Sequence, residues 1–298
     1  MADSAERRDC AWCGAPLRGG ERMSGRRRCP VCGVANTAPW PTSAELDRAY
    51  AGPYRPRAGR FVGIGDAVLR RTRSGLARRL DRIAPPGRIL DVGAGDGALL
   101  DALGRVGREA VGLEPPSGRP GVDDADLADL DGPWAAVVFW HSLEHLPEPG
   151  AALERAAALL APQGVLVVAV PNSDSLQARA FGDRWLALDL PRHLVHPTAG
   201  ALRTRLLGLG LQIERVSYLR GGQVLFGWLD GLVGAFPGNP SLYDAIRRPE
   251  ARFRPLSGWR RLTILLAAVL LLPLAILATG VEVSARRGGS VYLEARAA

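Results

Sequence analysis

The chain has 298 residues, 47% of them apolar, which is enough for a sizeable core and argues against global disorder. All 38 basic residues are arginine, so chemistry that needs a lysine amine is excluded: no Walker-type phosphate loop and no Schiff base. The net charge of +8 is uneven, since residues 1–88 hold 18 Arg against 8 acids and residues 89–298 hold 20 against 22; the basic N-terminal third suits nucleic acid, an anionic membrane, an acidic partner or plain solvent.

The first thirty residues are polar and Arg-rich without an apolar leader, so the chain is expected in the cytosol. Cys10-x2-Cys13 and Cys29-x2-Cys32 stand fifteen residues apart, and Gly14 and Gly33 follow the two pairs. Four thiolates so spaced can close a tetrahedron round Zn²⁺, and a glycine after each pair lets backbone amides turn toward sulfur. Two disulfides or four free thiols are the alternatives, and a cytosolic chain argues against stable disulfides. A zinc ribbon is expected over residues 1–36, its metal structural because four sulfurs leave no open position. Residues 37–60, rich in Pro, Gly and Arg, predict a linker with short helical pieces.

A helix is expected over 61–83, with Val68, Leu69, Leu76, Leu80 and Ile83 on its apolar face and "APPG" as its stop. Strands at 88–92, 110–113, 135–140 and 165–170 then alternate with helices near 97–106 and 150–160. A helix at 199–207 and a strand at 211–218 follow. Residues 262–281 carry no charge ("LTILLAAVLLLPLAILATG" with its flanks), and "SVYLEARA" alternates like a half-exposed strand. The order predicts an α/β fold with a doubly wound, mostly parallel sheet.

In such a sheet ligands sit at the carboxyl ends of the strands. The first strand ends in Asp91-x-Gly93-x-Gly95-x-Gly97, a pattern that with Ala98 also fits a dinucleotide loop. Three features favour a cationic nucleoside over a pyrophosphate. Asp91 would repel a pyrophosphate and suit an amine. Glu114 closes the second strand, where a carboxylate can accept ribose hydroxyls, and the acidic "DDADLADLD" that follows can accept from an adenine amino group.

These residues carry a resemblance. "ILDVGAGDG", "VGLEP" and "VVFWHSLEHLPEP" resemble, in order and spacing, motifs of the class I S-adenosylmethionine-dependent methyltransferases, over about residues 85–220. "PNSDSLQARAFGDRWLALDLPRHLVHPT" is similar to a bacterial subgroup tied to cell-envelope or secondary-metabolite pathways. The resemblance implies a seven-stranded Rossmann-like domain over 61–298 that binds S-adenosylmethionine. Asp91, Gly93, Gly95 and Gly97 would line its methionine part, Glu114 would hold the ribose, and Asp126 and Leu127 would lie near the adenine. Trp140 and His141 would close the pocket. Some relatives carry an acid where His141 stands, in a metal-binding variant of the motif, so its absence speaks against a metal there.

The four histidines fall in "HSLEH" and "DLPRHLVH", which suggests a shared site. H-x-x-E-H is also an inverted zinc-protease motif, but here it follows a strand and meets Pro147 and Pro149, so no helix presents both histidines. The second stretch predicts a loop capping the strand ends. His193 is the candidate general base or acceptor-orienting group, and His145 a second catalytic candidate against a plain backbone-bonding histidine. Arg192 would bind an acidic part of the acceptor. Trp185, with Phe181, packs the cap and counts with Arg192 among the acceptor-contacting residues.

By the same resemblance the last two strands form an edge hairpin, making 219–284 an apolar helical insertion. A single membrane crossing would put the last strand on the wrong side. Pro273 suits two short helices turning back, packed on the domain or dipping into the membrane's inner face, with a true span and an ordinary buried pair as alternatives. The expected activity is in-line methyl transfer to a small-molecule or lipid-linked acceptor, sugar-containing intermediates included. The rivals are an RNA methyltransferase that grips RNA with the basic ribbon and a non-catalytic, membrane-tethered cofactor-binding module.

Overall fold

The computed structural model describes residues 7–51, 61–63, 65–114, 122–123, 125–219 and 222–298. The second half of the expected linker and Asp124 of the acidic stretch lie outside the described residues. Two sheets organise the chain. The larger contains β4 (Ile89–Val92), β5 (Ala110–Leu113), β6 (Val122–Asp123), β7 (Trp134–Trp140), β8 (Leu160–Pro171), β10 (Gln212–Ser217) and β11 (Ser290–Arg296), in the order β10-β11-β8-β7-β4-β5-β6. Only β11 runs against its neighbours. This is the seven-stranded, mostly parallel, Rossmann-like arrangement. The central strand β7, "WAAVVFW", is buried on both faces, which is why it reads as an unbroken apolar run.

The two faces of the sheet bury different partners. Ala136 and Val138 face Leu76 and Leu80 of α2 (Gly65–Ile83) and Leu99 and Leu103 of α3 (Ala98–Gly104). Val137 and Phe139 face Leu153 of α4 (Pro149–Ala158) and Leu202 and Leu206 of α6 (Ala199–Gly208). Cys10, Trp12 and Leu17 belong to this second core as well. The N-terminal segment is thus fused to the domain rather than hung from it. A Cβ at Gly150 would meet the Trp12 carbonyl at 2.3 Å, so only glycine lets α4 approach it.

The smaller sheet fixes that fusion. β1 (Arg22–Met23), β2 (Arg26–Arg28) and β3 (Ala35–Thr37) form a meander, and β3 pairs antiparallel with β9 (Val195–His196). The expected linker begins in that strand's last residue and continues as α1 (Ser43–Tyr50), closed by a Thr42–Glu45 capping box. Val68 and Leu69, expected in the core, are 46% and 42% exposed and line a cleft instead.

Between β10 and β11 stand α7 (Gln223–Gly234), α8 (Leu242–Ile246) and α9 (Gly258–Ser284). The expected break at Pro273 does not occur: α9 is one helix of 27 residues with the proline inside it. Ile264 and Ala268 before the proline, and Ala275 and Glu282 after it, form one buried stripe. That continuous contact keeps both halves in line although proline removes one backbone bond.

Candidate active site

The carboxyl ends of β4, β5 and β7 open onto a cleft of about 2590 Å³, at the point where the strand order reverses. One side of it is a glycine turn. Gly93, Gly95 and Gly97 have φ of +82°, +58° and +67°. At Gly93 a Cβ would lie 2.3 Å from the Cβ of Ser142, so glycine is required there for conformation and for space. The amides of Gly93 and Ala94 donate to the Leu113 carbonyl at 2.8 and 3.0 Å, and the Gly95 amide donates to Glu114 Oε2 at 3.3 Å. The turn is therefore tied to the tip of β5 and carries the Glu114 carboxylate against it.

Gly93, Gly95, Glu114, Asp126, Leu127, Trp140 and His141 all line the cleft. Gly97 does not; it caps α3. Asp91, expected beside the methionine part of the ligand, is not on the cleft wall either. It lies within β4, short of the turn, and is 3% exposed. Burial pushes its carboxyl up to about 7, with Arg73 opposing the rise. The residues present fit a cationic nucleoside: a carboxylate against the turn, and an exposed carboxylate beside a buried leucine at 126–127.

The other side is built from distant segments. Glu144 sits in a short 3-10 turn after β7 and is 1% exposed, and neither carboxylate oxygen has a hydrogen-bond partner among the described residues. Its Oε1 lies 3.6 Å from His141 Nδ1 and 3.9 Å from His193 Nε2. Burial would raise this carboxyl, but His141, His193 and His145 outweigh it and draw it down to about 2. It is an anion held in place by imidazoles. His193 Nδ1 lies 2.9 Å from the Ala187 carbonyl. A carbonyl can only accept, so Nδ1 carries the hydrogen and Nε2 the lone pair. Nε2 is also 3.7 Å from Asp189 Oδ2.

His145 is held the same way, its Nδ1 donating to the Arg192 carbonyl at 3.0 Å with Tyr50 Oη 2.9 Å away. Burial and the charge of His193 draw its imidazole down to about 4. The His145 and His193 rings meet edge to face at 4.7 Å. His196 is buried in β9, and burial takes it well below the usual histidine range. Glu144, His145 and His193 have ligating atoms within 4.8 Å of one another, so they can hold a cation as well as a proton.

Arg192 does not have a guanidinium to spare for an acidic acceptor. It grips Asp189 with Nε and Nη2 and donates from Nη1 to the Ala49 carbonyl at 3.0 Å. Its side chain lines the cleft, and its charge orients Asp189. Trp185 is buried with Phe181 and Leu188 and lines the cleft. Sequence reasoning missed Tyr50, Asp189 and the wall supplied by the insertion, including Phe226, Tyr243 and Phe253. The i,i+3 spacing of Asp189 and Arg192 was a usable signal for one of these; Tyr50, in a stretch that reads as linker, left none.

The four cysteine sulfurs lie within 4.8 Å of one another. Cys10 and Cys32, and Cys13 and Cys29, are each 3.7 Å apart. Zinc with four sulfurs at about 2.3 Å places them about 3.8 Å from each other, whereas a disulfide would need about 2 Å. The Asn36 amide donates to Cys10 Sγ at 3.4 Å. Hydrogen bonds from Cys32 and Asn36 hold the Cys10 thiol down to about 4 despite burial. The set fits a closed metal site.

A family model described as "Methyltransferase domain" matches residues 66–216. The ubiquinone biosynthesis O-methyltransferase of Azorhizobium caulinodans is 31% identical, with 35% of this chain and 49% of that one covered. The enzyme of the same name from Xanthomonas axonopodis pv. citri is 32% identical, with 46% and 67% covered. The chain spans about half the length of the first curated relatives it matches. Among solved structures, an S-adenosylmethionine-dependent methyltransferase of Thermotoga maritima, described as a possible histamine N-methyltransferase, is 13% identical at a TM-score of 0.44, with 77% of this chain and 91% of that one covered.

Proposed function

The chain belongs to the methyltransferase-domain family and is an S-adenosylmethionine-dependent methyltransferase, and from that premise we propose that it methylates a hydroxyl of a small-molecule or lipid-linked acceptor, with His193 as the base. Bound S-adenosylmethionine supplies a methyl already activated on a sulfonium. Gly93, Gly95, Glu114, Asp126 and Leu127 hold that donor, and Trp140 and His141 close over it. His193 and Glu144 flank the acceptor.

The observation that carries the reading is the orientation of His193. Its Nδ1–H is committed to the Ala187 carbonyl, so the lone pair on Nε2 faces Asp189 and Glu144. As the acceptor oxygen bonds the methyl carbon and the carbon–sulfur bond breaks, the hydroxyl proton passes to Nε2. The imidazolium so formed lies between two carboxylates, one of them buried and ionised. The positive charge that leaves sulfur is thereby taken up where the chain has fixed negative charge for it. The curated relatives are O-methyltransferases by name, which supports a hydroxyl over an amine.

The test is His193→Gln, with turnover followed by labelled methyl transfer into metabolite and lipid extracts. Loss of a general base costs roughly 10²–10⁴-fold in kcat. S-adenosylhomocysteine affinity should stay within twofold, and an unchanged kcat would remove His193 from the chemistry. A second reading gives Glu144, His145 and His193 a divalent cation that acidifies the hydroxyl. Activity lost to chelator and restored by added metal would favour it.

We assign a structural zinc to Cys10, Cys13, Cys29 and Cys32, supported by the 3.7 Å sulfur spacing. Metal analysis should find about one zinc per chain, and none in Cys29→Ser.

A further inference from the structure

Helix α9 meets the length and composition of a membrane span, yet both of its ends are fastened to the same folded body. Near its start, Arg261 Nε donates to the Ala245 carbonyl at 2.8 Å, and Ile264 and Ala268 pack with Val233 of α7 and Leu242 and Ala245 of α8. Near its end, the buried Glu282 carboxylate accepts from the Gln177 amide at 2.9 Å, from Gln177 Nε2 at 2.8 Å and from Trp228 Nε1 at 2.8 Å. Six residues after α9 the chain enters β11, which sits between β10 and β8. A transmembrane α9 would pull β11 out of the sheet or carry it across the bilayer. The helix therefore stays on one side of any membrane.

Its outer surface is nonetheless as apolar as a span. Leu262, Leu266, Val269, Leu270, Ile276 and Leu277 are exposed, Leu270 by 80% and Val269 by 68%. At about 1.5 Å per residue the charge-free stretch 262–281 presents such a surface over about 30 Å. That is large for a soluble monomer. Exposed arginines bracket it, Arg254 and Arg260 before and Arg286 after. α7 lies between this surface and the cleft, lining the cleft with Gln223, Phe226 and Asp230 while packing on α9 with Val233.

We propose that α9 is an in-plane membrane anchor. Its outer face sinks among the acyl chains of an anionic bilayer, its flanking arginines meet the headgroups, and the sheet stays wholly in the aqueous phase. The apolar length, the cationic brackets and the double fastening favour lipid over a second copy of the chain. None of them depends on the chemistry assigned to His193. Interfacial helices bind by buried apolar area together with attraction to anionic lipid.

The test is flotation of the full-length protein with vesicles of phosphatidylcholine and phosphatidylglycerol at 7:3, and with pure phosphatidylcholine. Binding should be at least tenfold stronger to the anionic vesicles, and Leu266→Glu/Leu270→Glu should weaken it at least tenfold. Both positions are exposed, so the variant should keep its helical circular dichroism and its S-adenosylhomocysteine affinity. Three results would overturn the proposal. One is no flotation of a folded protein. Another is a dimer by light scattering without lipid that the double variant dissolves. The third is N- and C-terminal tags that become protease-accessible on opposite sides of reconstituted vesicles.

Discussion

The two sides of the cleft are assembled in opposite ways. The donor side is nearly contiguous: the turn at 93–97, Glu114 at the next strand tip and Asp126–Leu127 beyond it follow one another within 35 residues. The acceptor side draws Tyr50 from α1, His141, Glu144 and His145 from the β7 exit, Asp189 and His193 from the cap, and Phe226, Tyr243 and Phe253 from the insertion. On the proposed reading, a ligand common to a large family would be held by local geometry, and one particular to this chain by parts that only tertiary structure unites.

The largest effect should come from breaking the donor side alone. Gly93→Ala puts a side chain at φ +82° and 2.3 Å from Ser142 Cβ. The left-handed conformation costs about 1–2 kcal/mol and the overpacking a further 1–3 kcal/mol. S-adenosylhomocysteine affinity measured by calorimetry should fall by roughly 10²–10³-fold. The ultraviolet signature of the acceptor-side aromatics should not move. Unchanged affinity would mean that the turn yields, and the contrast between a rigid donor side and an assembled acceptor side would fail.

That contrast follows what the sequence could disclose. β7 and residues 165–170 of β8 are unbroken apolar runs, and the glycines announce a turn at a strand tip, so the sheet and the donor side were legible from local pattern. Period alone does not say whether Asp91, the last acid of its strand, turns out to ligand or in to core, and the burial of its side chain is visible only in the fold. Nothing local pairs Ala35 with His196, or sets Glu144 among imidazoles from two segments. Those contacts depend on strand order and on β3 reaching β9. Arg192 looked like a free cation because Asp189, three residues away, adopts φ +41° and turns back onto it. Pro273 misled for a related reason: a buried stripe can hold a helix through a proline, and sequence does not show which stripe is buried.

The two sides should also respond oppositely to pH. Asp91 has its pKa raised in the folded state to about 7. Its contribution is fully present below the unfolded value near 4 and is lost as pH rises toward and through 7, by at most about 4 kcal/mol. His145 has its pKa lowered to about 4. Its contribution is present above the unfolded value near 6.5 and is lost as pH falls toward 4. Relative to wild type, Asp91→Asn should therefore gain denaturation stability between pH 4 and pH 8. His145→Gln should compare best with wild type near pH 4 and lose ground by pH 7. Parallel trends in the two variants would show that these sites do not differ in the sense described.

The smallest effect tests whether the cysteine-bearing N-terminal segment belongs to the acceptor side. Thr37 Oγ1 donates to the His193 carbonyl at 2.7 Å and lies 3.3 Å from His196 Nε2. It is the last residue of β3, eight residues after Cys29 and buried. Thr37→Val keeps the shape and removes the hydroxyl, which costs about 1 kcal/mol for a buried neutral hydrogen bond. If that bond fixes the backbone from which His193 projects, losing about 1 kcal/mol should show as roughly a fivefold fall in kcat, since about 1.4 kcal/mol is tenfold. KM for the methyl donor and the zinc content should stay at wild-type values. A merely structural Thr37 would lower the melting temperature and leave kcat per folded molecule unchanged. A severalfold drop in kcat at unchanged metal content would instead make the N-terminal segment a brace for the proposed base, and would explain why β3 is joined edge to edge with β9 rather than left free at the end of a tether.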